Sequence, residues 1–208
     1  MPSSSIIDDL DGRVATVWSE LRPATRGLVE RALQAAATGT QTTRNFQYDA
    51  RADLELSRLL AVLDAALEDR AAEKTNLLHS ETGGKLKSVA DTTASVLQEQ
   101  TESAEVFAQL VRRAEMQRDY KRIDTLADAL TSRFPPSEIC ELARSEDGIV
   151  RELANEALAR CPVSLLLGLL NDPIDAETAR SALRRQVAEY GSEEARRILT
   201  ALDQEEFS

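Results

Sequence analysis

Residues Leu142 to Pro162 read LARSEDGIVRELANEALARCP, and this stretch decides the fold. After Asp147, the apolar side chains Val150, Ala154, Ala157 and Leu158 recur every third or fourth place, the spacing that gathers them on one face of an α-helix. A carboxylate in the position of Asp147 can accept hydrogen bonds from first-turn amides, which have no partner inside the helix. Pro162 lacks an amide hydrogen and so costs least where one helix stops and another starts. The stretch therefore reads as the end of one short helix, a turn opened by Asp, and a second helix.

Sliding the C-terminal third against itself by 25 residues brings Leu142 onto Leu167, Asp147 onto Asp172, Ala154 onto Ala179, Ala157 onto Ala182 and Leu158 onto Leu183. A fainter copy lies upstream, where a shift of 28 places Asp119 under Asp147, and Ala129 and Leu130 under Ala157 and Leu158. Each copy is one helix–turn–helix unit whose Ala and Leu exclude water only against a neighbouring unit. The periodicity predicts helices over Tyr120 to Arg133, Pro136 to Arg144, Gly148 to Arg160, Val163 to Leu170, Ala176 to Tyr190 and Glu193 to Leu202, with Pro135, Pro136, Pro162 and Pro173 at the joints.

With Asp147, Val150, Arg151, Ala154, Ala157 and Leu158 at matching positions, this segment resembles a HEAT repeat, and LLNDPIDAETARSALRRQV, with Asp172 and Pro173 at its turn, resembles the next unit. The short period is also similar to that of bacterial leucine-rich-repeat-variant units. The resemblance covers Tyr120 to Leu202 and departs at Asp175 and Ala176, which stand where the first unit has Val150 and Arg151, so a regular ladder of basic side chains is in doubt. It implies a short α-solenoid in the C-terminal part. It implies no particular activity, because such repeats serve scaffolds, adaptors and a few enzymes alike.

Upstream, Ser5 and Asp8 have the spacing of a helix start, and Ile6, Leu10, Val14, Val17 and Leu21 form one stripe; Trp18, near it, reads as a core residue with an interface anchor as the alternative, and Gly12 weakens this helix locally. Pro23 opens a second helix with a buried face of Leu28, Val29, Ala32, Leu33 and Ala36, and the two read as a helical hairpin. A connector over Thr38 to Asn45 leads to a strong helix from Asp49 to Ala72 with Leu56, Leu59, Leu60, Leu63 and Leu67 on one face. Gly83 and Gly84 predict a turn, and a long helix follows from Lys85 to Gln117, whose polar middle, Gln98 to Ser103, predicts a bend or a wet turn. The expectation is an all-α chain without a sheet: a bundle-like region with a helical hairpin and long central helices over 1–118, then HEAT-like repeats over 119–208, as two domains or one continuous one.

Composition agrees, since 42% hydrophobic and 29% charged residues suit a globular chain, and 4% aromatics leave a core of Leu, Ala, Val and Ile. The 36 acidic against 25 basic side chains give a formal charge of -11, which repels a phosphate backbone unless basic groups are segregated; no such segregation is visible, so no nucleic-acid partner is expected. The longest apolar run, Val163 to Leu170, is interrupted by Ser164 and Gly168 and falls short of the roughly 18 to 20 residues that span a bilayer. The opening MPSSSIIDDLDGR lacks a basic segment followed by an apolar one, so cytosolic residence without a membrane role is the expectation.

Templates for chemistry fail one by one. In ETGGKLKS, His79 stands where a phosphate loop needs its first Gly, and Leu86 where it needs Ser or Thr. Asp9, Asp11 and Gly12 match part of a calcium loop, but Ile7 and Trp18 take its first and last ligand positions. Cys140 and Cys161 have no companion ligands for zinc and read as two small buried thiols. His79 is the single histidine, so any His-dependent catalysis must use it. No catalytic, cofactor-binding or metal-binding residue is therefore assigned, and no cofactor. Arg151, Arg180 and Arg184, with Arg185, can line successive helices and engage acidic groups of a protein partner; local pairing with Glu152, Glu177 and Glu193 competes with that reading. The functional expectation is a noncatalytic protein–protein interaction scaffold or adaptor. The alternative is an enzyme, a lyase or hydrolase working through carboxylates and His79 on the same frame; self-association through the long helices into a homo-oligomer is a third reading.

Overall fold

Helices are the only regular elements that the computed structural model contains among the residues it describes, 11–39, 48–72 and 81–206. Eleven are present there, and the all-α expectation holds with no strand among the described residues. The chain divides into two compact units, Met1–Thr101 and Glu102–Ser208.

In the first unit, α1 (Gly12–Glu20) packs on α3 (Ala50–Ala72), α2 (Pro23–Thr38) packs mainly on α4 (Glu81–Gln100), and α3 and α4 lie along each other. Val14, Val17 and Trp18 of α1 and Leu56, Leu59, Leu60 and Leu63 of α3 are buried, as are Leu86, Val89 and Leu97 of α4. Trp18 is thus a core residue. Arg22, at the entry to α2, holds Asp49 at 2.7 Å and Glu55 at 2.9 Å, and the Thr25 hydroxyl donates to Glu55. That cluster ties the start of α2 to the start of α3. Hydrogen bonding from Arg22 holds the Asp49 carboxyl well below the usual carboxylate range.

Several sequence expectations are corrected here. The first described helix starts at Gly12, because Asp11 is extended (φ -164°, ψ 139°) and its carboxylate accepts the Arg13 amide; a helix running from Ser5 through Gly12 is thereby interrupted, and Ser5 and Asp8 lie outside the described residues. Helices α1 and α2 do not form a mutually packed hairpin, since their apolar stripes are taken up by α3 and α4. Ala36 is exposed and Leu33 half-buried at the far end of α2. Gly83 and Gly84 lie inside the first turn of α4 with no positive φ. Burial of Leu86, Val89 and Ala90, with Lys85 paired to Glu81 at 2.6 Å, outweighs a helix penalty of about 1 kcal/mol per glycine. The connectors over Thr38 to Asn45 and before Glu81 lie largely outside the described residues.

The long helix expected from Lys85 to Gln117 is two helices, α4 and α5 (Ala104–Met116). The break falls in the polar stretch, at Thr101–Ser103, but Thr101 is buried rather than wet. Ser103 is extended and its side chain makes no cap bond; the first amide of α5, on Ala104, donates instead to Glu138 at 2.9 Å. A tertiary carboxylate thus takes the place of a local cap.

The second unit continues with α6 (Tyr120–Arg133), α7 (Pro136–Ala143), α8 (Gly148–Arg160), α9 (Val163–Leu169), α10 (Ala176–Tyr190) and α11 (Glu193–Glu206). Helix α5 packs on α6, α7 and α8; α7 packs on α8 and α9; α8 packs on α6 and α10; α10 packs on α9 and α11. The repeated apolar pairs, Ala154 and Ala179, Ala157 and Ala182, Leu158 and Leu183, are all buried. Asp119 and Asp147 cap α6 and α8 as expected, the latter accepting from the amides of Ile149 and Val150 at 3.0 and 3.1 Å. Asp172 does not cap α10. Its carboxylate accepts from the Ile174 amide at 2.9 Å, the same two-residue step that Asp147 makes to Ile149, but no helix starts there and α10 opens only after Asp175.

Helix α5 ends in a left-handed turn at Arg118 (φ 55°), where the Asp119 amide reaches back to the Ala114 carbonyl at 2.8 Å. This closure normally uses glycine, since a Cβ at positive φ costs about 1–2 kcal/mol. Arg118→Gly is therefore expected to raise stability by about 0.5–1 kcal/mol, because the gain is reduced by the extra backbone freedom of the unfolded chain. A thermal-denaturation midpoint unchanged or lowered in that variant would show that the Arg118 side chain contributes more than its strain removes.

Candidate functional site

The four arginines singled out in the sequence lie on α8 and α10, which pack together. Arg151 occupies the first turn of α8. It is exposed, and its Nη1 donates to the carbonyls of Ser145 and Glu146 at 2.8 and 3.3 Å. Arg184, also exposed, donates to Glu177 on its own helix at 3.1 Å. Arg180 is half-buried.

Arg185 is the best tethered of the four. Its side chain is 26% exposed, and its guanidinium reaches Glu189 at 2.7 Å, Glu156 at 2.9 Å and Glu152 at 3.0 Å. Those bonds, Glu189 first, push its pKa further up, so it stays a fixed positive strut between α8 and α10. Glu156 is correspondingly crowded with donors: Arg160 at 2.7 Å, Arg185 at 2.9 Å and the Tyr190 hydroxyl at 3.1 Å. The local pairing expected from the sequence is present, Glu152 with Arg185, Glu177 with Arg184 and Glu193 with Arg196 at 2.5 Å; Glu156 joins Arg185 from the next turn of α8. Arg151 and Arg184 are the two of the four that are exposed.

A second cluster joins α7 to the start of α10. Asp175 has a side chain 6% exposed, and Arg144 Nη1 reaches it at 2.6 Å while also donating to the Ile174 carbonyl at 3.3 Å. Cys140 is fully buried nearby, and burial, reinforced by Asp175, pushes its thiol up to about 12. Cys161, at the end of α8, is half-buried, and burial raises its thiol too. Thiols so held remain protonated at neutral pH and are poor nucleophiles. The expectation of two buried thiols thus holds fully for Cys140 and partly for Cys161.

The remaining candidates resolve as follows. Lys85 of the glycine-containing stretch is engaged by Glu81, whose carboxyl is lowered by that bond. Asp11 caps α1; Asp9 and His79 lie outside the described residues. Among the described residues, no group of three His, Cys, Asp or Glu side chains is placed to hold a metal ion. No helix among them is long and apolar enough to cross a membrane. Comparisons with protein-family models, with curated proteins and with solved structures found no match.

Proposed function

We propose that residues Glu102–Ser208 form a short, HEAT-like α-solenoid that works as a noncatalytic scaffold for another protein. One observation carries this reading: the order in which the helices touch. Successive helices pair as α5 with α6, α7 with α8 and α9 with α10; the first members meet as α5 on α7 and α7 on α9, and the second members as α6 on α8 and α8 on α10. A unit that packs chiefly on its neighbours is the defining property of a linear array, whose stacked helices offer a long row of side chains rather than one pocket.

The chemistry of the row favours binding over catalysis. Its thiols are held protonated by burial, and Glu152 and Glu156 are bound by Arg185. Arg151 and Arg184 retain exposed guanidinium groups that carboxylates of a partner can claim. Each is held locally only by surface contacts worth about 0–1 kcal/mol, so reversing its charge leaves the fold intact.

The test is crosslinking capture from native lysate with the full chain, the wild type beside Arg151→Glu and Arg184→Glu. A specific partner should be retained by the wild type and lost, about tenfold or more, from at least one variant whose circular dichroism is unchanged. Repeated failure to retain anything sinks the scaffold reading, and so does a metabolite that raises the melting temperature by several degrees and is converted to a product, with or without an added metal ion.

A further inference from the structure

We propose that the corner between α5 and α6, residues 112–122, is a docking surface with contacts other than Arg151 and Arg184, and that it takes a short acidic segment of a partner protein carrying an apolar side chain. It starts from a strained residue whose side chain the fold does not use. Arg118 sits at φ 55° in the closure of α5, where its amide donates to the Glu115 carbonyl at 2.9 Å and the next amide, on Asp119, to that of Ala114 at 2.8 Å. Glycine makes this closure without strain. Yet the exposed Arg118 side chain has no hydrogen bond or ion pair among the described residues. A strained backbone that holds out an unused guanidinium points to a use outside the chain.

The neighbours of Arg118 specify the occupant. Residues 112–122, RRAEMQRDYKR, carry five basic and two acidic side chains in a chain of formal charge -11. Arg113 is buried and Asp119 is committed to the Arg122 amide at 3.1 Å, so the exposed charges are Arg112, Arg118 and Lys121 against Glu115. Lys121 has no side-chain partner among the described residues, and Arg112 meets Asp147 only at 3.9 Å. Among these cations Met116 is 64% and Tyr120 68% exposed. Arg112 and Met116, four places apart, share one strip of α5. Three cations beside a thioether and a phenol ring complement carboxylates interleaved with an apolar side chain. Nucleic acid or an anionic bilayer extends more than a Debye length, about 8 Å, beyond the corner and meets the repulsion of the whole chain, whereas a short segment does not.

Fluorescence anisotropy of a labelled synthetic peptide of Glu-Asp-Leu repeats, titrated with the full chain in about 0.1 M salt, tests this. Half-saturation is expected on the order of 10–100 µM, the weak class set by a few surface charge pairs and a small apolar contact. Arg118→Gly should bind about fivefold more weakly or worse although its melting temperature rises, so that lost binding is not lost folding. Lys121→Glu and Tyr120→Ala should weaken binding too, and Arg118→Lys should keep it within about twofold of the wild type. Arg197→Glu, the same change of charge on an exposed residue of α11, should leave it unchanged. A wild type that does not bind up to about 1 mM overturns the proposal. So does an equal loss in Arg197→Glu, which would mean that only net charge is read, or tighter binding of a single-stranded oligonucleotide. Binding that survives Arg118→Gly but is lost in Arg151→Glu overturns it in favour of the α8 surface. A dimer seen by sedimentation velocity and abolished by Arg118→Glu overturns it in favour of a second copy. The scaffold reading is tested apart from this, by lysate capture with the Arg151 and Arg184 variants, and either can fail alone.

Discussion

Phe107→Ala is expected to lower the stability of the chain by about 3–5 kcal/mol, the range for removing a large buried aromatic side chain. Phe107 lies on α5 with no exposed surface, and its ring meets that of Phe134 edge-on, at a centroid distance of 5.3 Å and an angle of 74°. In a chain with 4 Phe and 1 Trp, most core contacts are made by Leu and Ala, so few neighbours are large enough to collapse into the vacated space. The site sits where α5 meets α6, α7 and α8, so the cavity is felt by several helices at once. Urea denaturation measures the effect. Phe107→Leu should lose less, since it keeps most of the apolar volume, and a loss below about 1 kcal/mol in the alanine variant would mean that the ring is not packed as described.

Arg144→Ala is expected to cost about 1–3 kcal/mol by leaving the Asp175 carboxylate buried without its partner. The figure is placed below that for a fully buried pair because Arg144 is 40% exposed and its charge is partly screened. The sign of the double variant is the sharper test. Adding Asp175→Asn to Arg144→Ala removes the stranded charge and should recover part of the loss, whereas independent sites would add. Both variants act at the junction of α7 with α10, so destabilisation there reports on contact between successive helix pairs.

The helices of the second unit were legible because their signals are local. Asp119 and Asp147 cap, Pro136 and Pro162 stand at the joints, and the apolar spacing places Ala154, Ala157 and Leu158 on one face; α6, α8 and α10 accordingly have the bounds the sequence predicts. What was misread depends on partners distant in sequence. Glu138 supplies the cap that starts α5 from 34 residues away, a partner that the polar stretch Gln98 to Ser103 does not name. Gly83 and Gly84 are weak helix formers alone, yet the burial of α4 against α2 and α3 carries them. Asp172 has the sequence position of a cap and bonds the amide two residues on as Asp147 does, yet α10 opens only after Asp175.

The site was legible in residue type and not in partnership. Arginines near Glu152, Glu156 and Glu177 announce ion pairs, but the sequence does not say that Arg185 holds three carboxylates while Arg151 turns to backbone carbonyls. Which arginine is exposed depends on how α8 lies on α10, where Ala154, Ala157, Ala179 and Ala182 are buried and Arg185 joins the two helices.

The array proposed for residues 102–208 is defined by the order in which its helices touch, and a nuclear Overhauser spectrum of the methyl-labelled full chain reads that order directly. Strong cross-peaks are expected between α5 and α7, α7 and α9, α6 and α8, and α8 and α10, with none between α5 and α9 or between α6 and α10. Cross-peaks joining α6 to α10 or α5 to α9 would mean that the helices close on themselves as a bundle, and the array would be wrong.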